Sequence, residues 1–182
     1  NIFKYYVGSI ARKLTRKAPC SVLLLIKHSV VRIPCKHIVV NGLKDPKTAE
    51  TIATSFYVSQ KLGCKKITIV EEITQREIHV KVNDDLSLRR ATIAKEKLVK
   101  REDIRVKDIL DTIETTLKNG IDIKTQSIFG KRGYSIGHYA RVVRADLLIM
   151  NAPNKIGMLD RIFPHDMEYI LSELPSDVLI VK

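Results

Sequence analysis

Few side chains in this sequence are spaced for chemistry. His28, His37, His79, His138 and His165 make no metal-ligand pattern with Cys20, Cys35 and Cys64. The three cysteines are odd in number and lack C-x-x-C spacing, which suits a reducing compartment and hence the cytoplasm. No carboxylate pair, Ser/His/Asp set or metal cluster is legible, so an efficient enzyme is the least favoured class. Gly130, Gly133 and Gly137 punctuate a loop, but their spacing fits neither G-x-x-x-x-G-K-[ST] nor a Rossmann fingerprint, and they read as turns.

The strongest pattern is a repeat. Residues 7–26 align without a gap on residues 163–182 at a constant offset of 156, so that Pro19 falls on Pro175, Val22 on Val178 and Leu23 on Leu179. Each copy reads as a helix of about three turns, a proline stop and a short apolar strand. The expected organisation is therefore one whole unit over 37–182, a linker over 27–36, and in front of it (1–26) only the last helix and strand of a truncated earlier unit. On this reading the chain is a piece of a longer protein.

Charge and length bound what such a chain does. With 182 residues and 45% hydrophobic content it can bury one good core. The longest apolar run, Val22 to Ile26, falls far short of the roughly 20 residues of a membrane helix. A net charge of +12 suggests phosphate or anionic-lipid partners, but residues 1–36 hold eight basic side chains and no acid, which leaves +4 for the other 146 residues. A solvated basic helix accounts for that excess. With aromatics at 5% and Trp absent, nucleic-acid stacking has little support.

The elements that would position a site follow in order. His37 to Val40 reads as a buried strand ended by Asn41-Gly42. Asp45 as N-cap and Pro46 in the first turn open a helix with Ala49, Ile52, Ala53, Phe56, Tyr57 and Leu62 on its apolar face, closed at Gly63. Lys66 to Val70 is the next strand, parallel to the first. Glu71 to Arg105 reads as a charged excursion with a helix over Leu88 to Lys100. A separate helix carries Val106, Ile109, Leu110, Ile113 and Leu117 and stops at Asn119-Gly120. Ile121 to Thr125 is a third strand, His138 to Arg144 a short helix, and Asp146 to Met150 a fourth strand. After a loop over 151–160, the closing helix and strand complete the unit. Alternation of strand and helix predicts an α/β fold, an open, mostly parallel five-stranded sheet with helices on both faces, plus the extra helix and strand in front.

This order resembles the universal stress protein family, in tandem form. The likeness is carried by Ile38-Val39-Val40-Asn41-Gly42, by Lys66 to Val70, by Ala145 to Met150, and most specifically by Gly8-Ser9 through Ala18-Pro19-Cys20-Ser21-Val22-Leu23. It implies an adenine nucleotide alpha hydrolase-like sheet and, in nucleotide-binding members, ATP held by G-x2-G-x9-G-[ST] after the fourth strand. Glycines there admit phosphate to the backbone, and the helix N-terminus supplies donors. Here those positions are Asn151, Asn154, Pro164 and His165, and the family's acidic residue after the first strand is Asn41. Only the truncated unit keeps the motif's ending, as Gly8 and Ser9.

Three readings follow from the resemblance. In the first, the chain is a regulatory or interaction module with a degenerate nucleotide site and no cofactor. It pairs with another such unit, within the chain or in a homodimer, through strands 22–26 and 178–181, because a bare apolar edge needs cover. In the second, ATP or AMP still binds in a cleft above Val40, Val70 and Met150, with Asn41 on the base and Asn151, Asn154 and His165 around it, and hydrolysis is at most slow. In the third, the chain is the cytosolic tail of a membrane cation/proton antiporter, its basic segment facing anionic lipid.

Overall fold

The computed structural model describes residues 8–26, 31, 33–152 and 165–182. Helix α1 (Ser9–Lys17) leads into strand β1 (Val22–Leu24), followed by β2 (Ile38–Asn41), α2 (Thr48–Leu62) and β3 (Lys66–Thr74). The long helix α3 (Asp85–Thr112) and the single turn α4 (Thr115–Lys118) come next. They precede β4 (Asp122–Gly130), α5 (Tyr134–Val142), β5 (Leu147–Asn151), α6 (His165–Ser172) and β6 (Asp177–Val181). The six strands form one sheet in the order β1-β6-β5-β2-β3-β4. Every neighbouring pair is parallel except β1 on β6, where Val22, Leu23 and Leu24 face Ile180, Leu179 and Val178.

Strand alternation divides the core into two layers. Val39, Val70, Leu148, Met150, Val178 and Ile180 pack with Ile136 and Ala140 of α5 and with Met167, Ile170 and Leu171 of α6. On the other face Ile38, Val40, Ile67, Ile69, Leu147 and Ile149 pack with Ile52 and Phe56 of α2 and Val106 of α3. Helices therefore cover both faces, which explains why the central strands are mainly apolar in their first halves rather than alternating.

Several boundaries differ from the sequence reading. Helix α2 begins at Thr48, because Asp45 accepts the Lys47 N–H at 2.9 Å and makes a turn in front of the helix instead of capping it. Strand β3 does not stop at Val70 but continues through Glu71 and Glu72 to Thr74, paired all the way with β4. Strand β4 is correspondingly nine residues long, ending at Gly130, and α5 starts four residues before His138. The expected break near Arg105 is absent. Asp84 caps α3 by accepting the Ser87 N–H at 2.7 Å, and the helix runs 28 residues before Ile113 turns extended, so Leu117 belongs to α4. Propensity explains the continuity, since residues 85–112 hold neither glycine nor proline.

Candidate functional site

The carboxyl ends of β2, β3 and β5 meet where an open α/β sheet ordinarily receives a ligand. At the tip of β2, Asn41 is buried and its Oδ1 accepts the Leu43 N–H at 3.2 Å. Gly42 follows with its N–H on the Val70 carbonyl at 2.7 Å. A Cβ at Gly42 would lie 3.0 Å from Ile69 Cγ2 and 3.1 Å from the Val70 oxygen, so the close passage of the chain over β3 favours glycine, and a larger residue would have to push these neighbours aside.

From β5, Asn151 reaches across to the same loop. Its Nδ2 donates to Asp45 Oδ1 and to Thr48 Oγ1, each at 3.3 Å, while the Thr48 hydroxyl donates to the Leu43 carbonyl. The loop between β2 and α2 is thereby tied to the end of β5. Asn151 Oδ1 is buried with no partner among the described residues. Val70 and Met150 are buried in the layer under α5 and α6, so their side chains are core. Asn154 and Pro164 lie outside the described residues, and His165 is placed only as the first residue of α6. Gly8 caps α1 at the far edge of the sheet, its carbonyl accepting the Arg12 N–H at 3.1 Å, with Ser9 as the first helical residue.

Beside the Asn41-Gly42 turn lies a cavity of about 220 Å³, lined by Gly42, Glu71, Glu72, Glu102, Arg105 and Arg132 among others. Two of its charged groups, Glu102 and Arg105, hold each other. Arg105 donates from Nε to Glu102 Oε2 at 2.7 Å and from its other end to the Gly42 carbonyl, stitching α3 to the tip of β2. Burial alone would raise the Glu102 carboxyl, but hydrogen bonds from Arg105 and Arg101 hold it below its ordinary range. Glu71 is pushed up to about 7 by burial, against the lowering effects of the Ser127 hydroxyl, 2.8 Å from Oε2, and of Arg105. Its Oε1 is buried with no partner among the described residues.

Glu72 faces the opposite side of the strand and accepts the Gly133 N–H at 2.9 Å and the Ile136 N–H at 2.7 Å. Gly133 has φ 75°, a left-handed conformation that turns its N–H toward the carboxylate. The amino end of α5, with its open N–H groups and positive dipole end, thus holds an internal carboxylate where an external anion would otherwise sit. Glu71, Glu72, Arg105 and Thr48 were not among the residues singled out from the sequence. The available signal was the pair of glutamates continuing directly from the apolar run Lys66 to Val70.

An open α/β sheet receives ligands at the carboxyl ends of its strands in many proteins, but the architecture is shared by unrelated functions. Solved structures of this architecture match the chain. The universal stress protein UspA from Lactobacillus plantarum matches at TM-score 0.60 and 14% identity over 83% of this chain and 100% of its own. A putative universal stress protein from Pseudomonas aeruginosa UCBPP-PA14 matches at TM-score 0.59 and 16% identity over the whole of this chain, which spans 59% of that structure's length. A universal stress protein in complex with cAMP matches at TM-score 0.54 and 15% identity over 82% of this chain and 98% of its own. No protein-family model and no curated protein sequence matches the chain. At these identities the likeness establishes the fold, which is that of the universal stress protein structures.

Proposed function

We propose that this chain is a regulatory or interaction module of the universal stress protein kind, with a degenerate nucleotide position, working through pairing of like units and not through catalysis. The observation that carries the reading is Asn151. Where the resemblance calls for a glycine that opens the backbone to phosphate, this side chain bonds to Asp45 and Thr48 and fastens the loop across the cleft. Glu72 takes up the Gly133 and Ile136 N–H groups at the amino end of α5, which a phosphate would otherwise use. The antiparallel seat of β1 on β6 supports a reading of residues 8–26 as the ending of a preceding unit, whose last strand meets that of the complete unit.

The test is direct. Purified protein is denatured, and the supernatant is resolved by chromatography and mass spectrometry for ATP, AMP and cAMP. The reading expects none above trace, and a stoichiometric nucleotide overturns it. A second reading, adenine-nucleotide binding, is favoured by the cavity of about 220 Å³ beside Gly42 and by the cAMP complex of a protein with this fold.

A further inference from the structure

Helix α3 is amphipathic in an unusual sense, because its solvent face is patterned as well as its buried one. Ala91, Glu102 and Val106 are its buried residues. On a wheel of about 100° per residue they cluster on one side, and Leu86, Ile93 and Ile104 fall within about 20° of a single line on the opposite side. These three aliphatic side chains are 57%, 51% and 51% exposed. The line is about 27 Å long at about 1.5 Å per residue. Arg90, Lys97 and Arg101 flank it on one side, and Arg89, Lys100 and Lys107 on the other; all six are exposed. Among the acids, Glu96 and Asp103 lie outside the second basic row, and past Lys107 the pattern ends with Asp108 in line with the first row and Asp111 in line with the aliphatic side chains; Arg101 shares its charge with Glu77 and Glu102.

Packing does not account for this outer line, since the helix meets β4, α2 and the turn Gln75–Ile78 with its other side. An apolar centre between two basic rows is the arrangement of a helix lying in the plane of a charged interface. A plane reaches both rows at once, whereas a single acidic chain would follow only one. We infer that the outer face of α3, from Leu86 to Lys107, is a docking surface for an anionic lipid bilayer, the aliphatic line entering the headgroup layer and the basic rows meeting lipid phosphates and carboxylates. This surface is independent of the cleft and of how the cleft is read.

Vesicle co-sedimentation of the whole chain tests it, with phosphatidylcholine alone and with about 30% phosphatidylserine added, at about 0.1 M salt. Binding is expected only to the anionic vesicles and is expected to fall steeply with added salt. At about five-fold per cation, the Arg90→Gln/Lys97→Gln/Lys100→Gln variant loses about 100-fold in partitioning. Ile93→Asn/Ile104→Asn weakens binding without changing its salt dependence. Circular dichroism and melting temperature of both variants match the parent, because every altered side chain is exposed. Equal binding to neutral vesicles, no sedimentation at all, or anionic binding unchanged in the triple variant overturns the inference. So does equally firm capture by soluble polyglutamate or a single-stranded oligonucleotide, which would assign the face to an acidic protein or to nucleic acid.

Discussion

Glu71 gives the sharpest energetic prediction. Its carboxyl is buried within β3, one oxygen held by Ser127 and the other without a partner among the described residues. Burial raises it from an ordinary 4.5 to about 7. Because the folded state binds this proton more tightly than the unfolded chain, stability is full below about pH 4.5, falls as pH rises through the window up to about 7, and stays reduced above it. A gap of this size corresponds to about 3 kcal/mol of folded-state penalty at about pH 8. Glu71→Gln removes the charge while keeping an oxygen for the Ser127 hydroxyl. Urea denaturation of both proteins between about pH 4.5 and pH 8 reads the difference. Any cost of the buried amide appears as a constant offset, whereas the charge appears as a change with pH. The variant is expected to gain about 3 kcal/mol relative to the parent across that range, or about 6–12 °C in melting temperature for a chain of this size. A difference that does not vary with pH would refute the argument, because it would mean that Glu71 titrates normally in the folded protein.

Other perturbations follow from the same geometry. Glu72→Ala leaves the Gly133 and Ile136 N–H groups at the start of α5 without their acceptor, at a cost of about 2–4 kcal/mol; hydrogen exchange should rise first in residues 133–137. Glu102→Ala strands Arg105 beside the Gly42 carbonyl and should destabilise by about 1–3 kcal/mol, read by thermal melts, with the loss smaller in a Glu102→Ala/Arg105→Ala double variant. Leu24→Asp places a charge among Val178, Ile180 and their neighbours and should detach β1 from β6. The uncovered edge should then self-associate with concentration in sedimentation velocity; an unchanged monomer-like profile with β1 demonstrably released would show that the edge needs no cover.

What the sequence revealed, and what it hid, divides along burial and charge. The runs at 38–40, 67–70 and 147–150 are strands because they sit in the middle of a sheet covered on both faces, where every side chain but Thr68 is apolar. Gly63, at φ 70°, ends α2 as its position suggested. The stretch from Glu71 to Arg105 was opaque for one physical reason. Glu71, Glu72, Glu102 and Arg105 are bound inside the fold by side chains and backbone, so charge there does not mark a solvent loop. Glu71 and Glu72 continue a strand, and Glu102 and Arg105 sit within a helix that carries charge on both its buried and its exposed sides. In the cleft, Asn41 and Asn151 stand at the ends of the neighbouring strands β2 and β5, as the strand pattern implied. The contacts of Asn151 with Asp45 and Thr48, and of Arg105 with the Gly42 carbonyl, were not legible, because they form only through the folded chain, across up to 106 positions.

Calorimetric titration of ATP with magnesium into the whole chain at about pH 7.5 tests the central claim most directly. Only heats of dilution are expected, with no binding tighter than about 1 mM, in the parent protein. A saturable one-to-one isotherm in the micromolar range would contradict the degenerate-site reading, because nucleotide would then be entering the cleft across which Asn151 bonds to Asp45 and Thr48.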